Sequence, residues 1–139
     1  MKLNFKRIEE PFVFELENEK GAKVLIDSSE DIGGKNKSLT PMQLLAGSLA
    51  GCMSIDVVLI LNKQKLNPRH FSIELLTERK AGQPSPFTGI HLKFKVSSDV
   101  PEEKLERAIL LSKEKYCSVS LSLHPEITIS HEMEYCSTF

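Results

Sequence analysis

The stretch that decides the fold runs from Thr40 to Leu61 and reads TPMQLLAGSLAGCMSIDVVLIL. Thr40 is a helix-capping residue type, Pro41 suits a first helical turn, and Gln43 stands where it completes a capping box. The residues that follow are almost all apolar or small, which predicts a long helix buried on most of its surface. Such a helix would be roughly 33 Å long, at about 1.5 Å per residue, and could cross a small domain.

A membrane span is the alternative to a core helix, because the same length and hydropathy would suit a bilayer. Asp56 lies inside the run, glycines weaken its hydropathy, and Lys63 and Lys65 flank it on one side only. No second apolar segment of this kind occurs, and the N-terminus lacks the pattern of a signal peptide. We therefore expect a core helix and no membrane partner.

Composition limits the class of protein further. A chain of 139 residues with a formal net charge of -1 is most simply one domain, residues 1–139, with no nucleic-acid partner. Three widely spaced cysteines do not form a secreted disulfide framework, so we expect a cytoplasmic protein.

Alternation of apolar and polar residues predicts strands on both sides of the helix. Before the helix, three segments predict an antiparallel meander: Leu3 to Ile8, Phe12 to Glu17, and Ala22 to Asp27. An exposed loop follows from Ser28 to Leu39. After the helix, Phe71 to Leu75 and Ile90 to Val96 predict a hairpin with a long connection.

The rest of the chain predicts a second helix and a last strand. Asp99 is a candidate cap for a helix from Pro101 to about Tyr116. A short helical segment from Ser118 to Leu123 and a strand from Ile127 to Tyr135 follow.

The order of these elements predicts an α+β fold with largely antiparallel sheets packed on the long buried central helix. A sheet can cover only one side of a helix that is apolar all round. We therefore expect a second copy of the chain to cover the remainder, in a homodimer.

Two cysteines lie where a thiol could react, Cys52 in the long helix and Cys117 in the segment KYCSVSLSL. A buried cysteine without a nearby cation is usually an inert hydrophobic residue, and Asp56, one turn after Cys52, opposes its ionisation. Thiolate chemistry at Cys52 therefore requires a cation from elsewhere in the fold or from a partner. Cys117 has more local support, since a helix starting at Ser118 would favour a thiolate and Lys113 is close in sequence.

Sequence spacing leaves open whether the two cysteines meet, because a disulfide requires Cα atoms within about 7 Å. Cys136, near the C-terminus, is more simply incidental. The chain lacks the metal-ligand spacing in its histidines, which are His70, His91, His124 and His131. It also has no phosphate-binding loop, so we expect neither a metal nor a bound cofactor. Of the histidines, His91 has the pattern of a solvated strand residue and His131 that of a hydrogen-bonded core residue.

Together, TPMQLLAGSLAGCMSIDVV and EKYCSVSLSL, separated by two strands and a helix, resemble the OsmC/Ohr family of osmotically inducible and organic hydroperoxide resistance proteins. The resemblance spans nearly the whole chain in element order, and it is nearest to the YhfA-like branch. It implies an intertwined α+β homodimer with two sites at the subunit interface, each built around a cysteine pair.

This resemblance implies a thiol-dependent peroxidase for organic hydroperoxides. Cys52 would be the peroxidatic residue and Cys117 the resolving residue, so that oxidation produces a sulfenic acid and then a disulfide. An external thiol or dithiol would restore the pair by exchange.

The sequence departs from the peroxidase members at one point. They carry a glutamate just after the helix proline, which orients an arginine beside the thiolate, whereas this chain has Met42 and Gln43. Arg7 and Arg79 are the available candidates for that arginine, with neither favoured. The alternative is therefore a non-catalytic dimer of the same fold that binds a small apolar ligand at the subunit interface.

Overall fold

The computed structural model describes residues 1–137, which form two compact units, one of residues 1–45 and one beginning at Ala46. The single domain expected over residues 1–139 stays a prediction.

The first unit contains the expected antiparallel meander. Its strands are β1 (Leu3–Glu9), β2 (Val13–Asn18) and β3 (Lys23–Ile26), and β2 lies in the centre of the sheet. The rings of Phe5 and Phe14 stack across β1 and β2 with centroids 4.9 Å apart. This cross-strand stacking supports the pairing register of the two strands.

The segment after β3 is anchored by the carboxylate of Asp27, which is 2% exposed. It accepts the backbone N–H groups of Ser28 at 2.7 Å, Lys35 at 3.0 Å and Lys37 at 3.1 Å. Burial alone would raise the pKa of Asp27, but these backbone donors and the Lys35 charge hold it below its usual value. The predicted loop is therefore folded onto one carboxylate, and it contains a short 3-10 turn at Glu30–Ile32.

The long helix α1 spans Pro41–Lys63, close to the bounds that the sequence predicts. The predicted capping box is present, because Gln43 Oε1 accepts the Thr40 N–H at 2.9 Å and the Gln43 N–H points to Thr40 Oγ1 at 3.4 Å. The side-chain oxygen of Gln43 is thus occupied at the start of the helix.

Within one chain, α1 is buried along a single stripe, so burial over most of its surface is not observed. Fully buried side chains recur every three or four residues, at Ala46, Leu49, Met53, Val57 and Leu61. Along another side, Gly47, Gly51, Ile55 and Leu59 are exposed, Ile55 by 63% and Leu59 by 54%. By length and composition, this helix is also apolar enough to cross a membrane.

The second sheet contains β4 (Phe71–Arg79), β5 (Phe87–Ser97) and β6 (Thr128–Cys136), with β5 in the centre. As predicted, β4 and β5 form an antiparallel hairpin, and alternate residues of β5 are buried: Ile90, Leu92, Phe94 and Val96. The prediction of largely antiparallel sheets is confirmed for three of the four strand pairings in the described residues, and the exception is β6, which runs parallel to β5. A parallel neighbour requires a long crossover, and the helical segment between the two strands supplies it.

That crossover comprises α2 (Glu102–Leu111), a π-helical turn (Ser112–Tyr116) and α3 (Ser118–Ser122). Asp99 does not cap α2; the capping position belongs to Pro101, and no side chain bonds there. Two glutamates in the first turn complement the helix dipole instead. Leu105, Ala108 and Ile109 form the buried face of α2.

Candidate thiol site

Helix α1 presents Cys52 and Asp56 on one face, because residues four apart lie one above the other on a helix. Both side chains are half-buried. Each directly precedes a fully buried residue, Met53 after Cys52 and Val57 after Asp56, so both border the core stripe of the helix. The helix therefore holds a thiol and a carboxylate at the edge of the core.

Cys117 is positioned by the π-helical turn at the end of α2. Its N–H donates to the Ser112 carbonyl at 2.7 Å, and its backbone leaves the helical conformation before α3 begins at Ser118. Its Sγ caps α3 by accepting the Ser120 N–H at 3.3 Å. Single π-helical turns are frequent at functional sites, and this one directs Cys117 into the interior, where it is fully buried.

The fold brings Cys52, Asp56 and Cys117 together: one ligand atom from each lies within 4.8 Å of the other two. Both cysteines are free thiols. The meeting of the two sulfurs, which sequence spacing left open, is therefore found in the folded chain. Cys136 is not in this group; it ends β6, paired with Ser97 of β5.

The pKa of the Cys117 thiol is raised to about 11 by burial, with a smaller contribution from its contact with Cys52, while the N–H groups of Ser120 and Val119 act in the opposite direction. Cys117 consequently remains a neutral thiol at physiological pH. A neutral thiol can donate its S–H to the neighbouring sulfur.

Asp56 is held by Ser112, whose hydroxyl donates to Asp56 Oδ2 at 2.8 Å. Ser112 is fully buried and is absent from the candidates that the sequence provides. A signal was available, since Ser112 continues the apolar stripe of Leu105, Ala108 and Ile109 at helical spacing. A polar residue at a core position of this kind indicates a buried polar partner.

A groove of about 530 Å³ borders Asp56. Its apolar wall includes Leu59 and Leu111, and its positive charges come from Lys63 and Arg107. Arg107 was also absent from the sequence-based candidates, because an outward helix arginine has no distinguishing spacing.

The two arginines that the sequence suggested make local contacts. Arg7 bonds the Pro11 carbonyl and the Glu10 carboxylate, each at 3.5 Å. Arg79 Nε donates to the Ser85 carbonyl at 2.7 Å, in the connection between β4 and β5.

The histidines lie outside the thiol cluster. His131 Nε2 lies 3.1 Å from Glu106 Oε2, with its ring edge-on to Phe94. His91 contacts Ser130 through Nδ1 at 2.8 Å and Glu132 through Nε2 at 3.3 Å. Both are strand residues with hydrogen-bonding partners.

The site is a pair of free thiols, one on a long apolar helix and one after a π-helical turn, in an α+β fold with two sheets. These features together define a class of small proteins with a paired-thiol site. The chain belongs to the OsmC-like protein family, whose sequence profile matches residues 34–132. The fold is accordingly OsmC-like, with two small sheets and a long central helix.

Relatives in sequence and structure agree with this membership. Protein YhfA of Escherichia coli K12 is 35% identical over 119 residues, covering 85% of this chain and 86% of the relative. A hypothetical protein from Aquifex aeolicus VF5 has a TM-score of 0.79 at 29% identity, covering 98% of this chain and 97% of the other. An organic hydroperoxide resistance protein OsmC from Legionella pneumophila has a TM-score of 0.70 at 18% identity, covering 96% of both chains.

Proposed function

We propose that this protein is a thiol-dependent peroxidase for organic hydroperoxides, in which Cys52 attacks and Cys117 resolves. The observation that carries the proposal is the proximity of the two free sulfurs, within 4.8 Å of each other. Membership of a family that includes organic hydroperoxide resistance proteins supports the reaction class.

Exposure supports the division of roles. Cys52 is half-buried and can meet a substrate, whereas Cys117 is fully buried. A resolving thiol needs access only to the attacking sulfur, so the buried position suits it. The S–H of Cys117 can also donate toward a Cys52 thiolate and stabilise that charge.

The reaction balances with the two thiols and one external reductant. The Cys52 thiolate attacks the terminal oxygen of ROOH, the O–O bond breaks, and protonation of the leaving alkoxide releases ROH. Cys117 then attacks the Cys52 sulfenic acid, which forms the disulfide and releases water. A small thiol or dithiol reduces the disulfide by exchange and is itself oxidised.

The groove beside Asp56 supports an organic substrate. Its apolar wall of Leu59 and Leu111 suits a hydrocarbon substituent, which hydrogen peroxide lacks. Arg107 lines the same groove and is our candidate for the cation that thiolate chemistry at Cys52 requires.

A second candidate function is a non-catalytic ligand-binding protein of the same fold. The observation that favours it is that a carboxylate, Asp56, lies within 4.8 Å of both sulfurs. Its charge is opposite to that of the cation that thiolate chemistry requires. In that case the groove would bind a small apolar ligand and the thiols would serve packing alone.

Mass spectrometry distinguishes the two candidates. The reduced protein, in a metal chelator, receives one equivalent of an organic hydroperoxide, with hydrogen peroxide in parallel. We expect a rapid Cys52 to Cys117 disulfide with the organic substrate and a slower one with hydrogen peroxide. Cys52→Ser should prevent disulfide formation, and Cys117→Ser should accumulate a sulfenic acid at Cys52.

Cys136→Ser is the matched control, because Cys136 lies at the end of β6 outside the thiol cluster. It should react at the wild-type rate. Slow oxidation of the wild type, with Cys136 modified as readily as Cys52, would exclude the peroxidase and leave the ligand-binding candidate.

We further propose that a second copy of the chain covers the exposed side of α1. The stripe of Gly47, Gly51, Ile55 and Leu59 is apolar, and a Cβ added at either glycine meets nothing within 4 Å in the single chain. Small residues at this spacing allow another backbone to approach closely. Asp56 in the middle of the helix disfavours a bilayer as the cover.

Light scattering without detergent tests this assembly, with an expected mass of twice the 15.6 kDa chain. Gly47→Leu places bulk where the single chain has room, so it should weaken the dimer and leave the fold of the chain intact. A detergent-free monomer in the wild type, or recovery only from membranes, would overturn the proposal.

A further inference from the structure

The thiol cluster is also a set of metal donors. Cys52 and Cys117 offer sulfur and Asp56 offers a carboxylate oxygen, and one atom of each lies within 4.8 Å of the others. Zinc bonds to thiolate sulfur at about 2.3 Å and to carboxylate oxygen at about 2.0–2.2 Å. Tetrahedral ligands at such distances are roughly 3.5–3.8 Å apart. The donors therefore need only small side-chain movements to reach one ion.

We propose that the reduced cluster binds one thiophilic divalent cation of the Zn²⁺ class through Cys52, Asp56 and Cys117, with water as the fourth ligand. Three protein ligands with one open position are the pattern of a zinc site accessible to solvent. The inference does not rest on the proposed peroxidase activity, because metal binding requires neither oxidation nor turnover.

Contacts around the cluster support this assignment independently of the donor distances. Ser112 Oγ donates to Asp56 Oδ2 at 2.8 Å, which orients the carboxylate and leaves Oδ1 for an ion. The Ser120 N–H donates to Cys117 Sγ at 3.3 Å and orients that sulfur. Groups that orient ligands in this way are a regular feature of protein metal sites.

Charge also favours a cation. A divalent ion among the three donors offsets two of the three negative charges that two thiolates and a carboxylate would bring together. On binding, both thiols lose their protons to solvent, two metal–sulfur bonds form, and no group changes its oxidation state. The half-buried Cys52 leaves a path for the ion to enter.

Metal binding and disulfide formation exclude each other, since each uses both sulfurs. A bound ion would therefore protect the reduced pair from oxidation. Removal of the ion would make the pair available.

The test uses Co²⁺ as a spectroscopic probe on the reduced, chelator-treated full chain under anaerobic conditions. We expect one Co²⁺ per chain, with near-ultraviolet thiolate-to-cobalt absorption that excess Zn²⁺ removes. Cys52→Ser and Cys117→Ser should each reduce that absorption and weaken binding. Ser112→Ala should weaken it by about 10-fold, and Asp56→Asn by more.

Cys136→Ser is the matched control and should bind Co²⁺ as the wild type does. Proton release is a second readout, and it needs no substitution. In a weakly buffered solution of the wild type, at a pH where both thiols are neutral, Zn²⁺ binding should release close to two protons per chain. Absence of thiolate-to-cobalt absorption, absence of proton release, or wild-type affinity in Cys117→Ser would overturn the metal site. Each of these outcomes leaves the chelator-treated peroxidase assay unaffected.

Discussion

Two aspartates, the buried Asp27 and the half-buried Asp56, have carboxylates whose surroundings differ in kind. Asp27 accepts three backbone N–H groups from the segment that follows it. Asp56 accepts the hydroxyl of Ser112 and lies within 4.8 Å of two thiol sulfurs. One carboxylate is surrounded by backbone, whereas the other is surrounded by side chains.

The difference indicates which region serves structure and which serves chemistry. Backbone amides cannot change protonation state or exchange partners without unfolding the loop, so Asp27 fixes the path of residues 28–37. Thiols can ionise, oxidise or bind metals, so the partners of Asp56 can change while the fold stays intact. The contrast predicts effects on stability that are largest at Asp27 and smallest at Ser112.

Asp27→Asn should cause a larger loss of stability than any substitution in the thiol cluster. Its amide nitrogen would replace an oxygen that accepts backbone N–H groups, so donors would face donors in a buried site. Urea unfolding should show a reduced free energy of unfolding and earlier proteolysis of residues 28–37. Asp31→Asn, an exposed aspartate of the same loop, should have little effect. Equal effects of the two substitutions would contradict the assigned role of Asp27.

Acid should reproduce part of that loss in the wild type. The pKa of Asp27 is lowered in the folded state, so its contribution is fully present above the unfolded value of about 3.9. It is lost as pH falls through the folded pKa, because the unfolded chain then binds more protons. Wild type and Asp27→Asn should therefore converge in unfolding free energy as pH drops below about 4. A constant difference across that range would assign the acid loss to other carboxylates.

Base should act on the thiol cluster instead. The pKa of Cys117 is raised by burial from 9.0 to about 11, so its contribution is fully present below the unfolded thiol pKa. It is lost as pH rises toward about 11, because the unfolded thiol ionises first. Urea unfolding with reductant and chelator should show this alkaline loss in the wild type and in Cys136→Ser. Cys117→Ser should show a smaller one, and an undiminished loss in that variant would show that Cys117 is not its source.

Ser112→Ala should have the smallest effect on stability, a loss of about 1.5–3 kcal/mol, because it removes one hydrogen bond to a charged group. Thermal or urea unfolding at neutral pH measures this loss. Ser122→Ala, which removes an exposed hydroxyl contact with the Ser118 carbonyl, is the matched control and should change stability by less than about 0.5 kcal/mol. If Ser112→Ala matched Asp27→Asn in its effect, the contrast between the two carboxylates would fail.

Much of the secondary structure followed from local patterns. The capping box at Thr40 located the start of α1, and alternation located the three strands of the meander. The buried face of β5 was also predictable, because apolar residues occupy four alternate positions of the strand. Local sequence governs these features through backbone geometry and side-chain direction.

Other features depended on residues far apart in the chain. The parallel pairing of β6 with β5 has no local signal, since the strand pattern is the same in either direction. A Cβ at Gly34 would clash with the backbone of Ser28. Such a requirement arises only once the loop has folded back on itself.

The sequence by itself determined the long helix, the strand positions and the two cysteines worth attention, because periodicity, caps and residue type act over a few neighbours. Tertiary structure decided that Cys52 and Cys117 meet, that Asp56 and Ser112 join them, and that Arg107 shares a groove with that carboxylate. The physical reason is the π-helical turn after α2, which sends Cys117 inward at a position where helical periodicity no longer predicts direction.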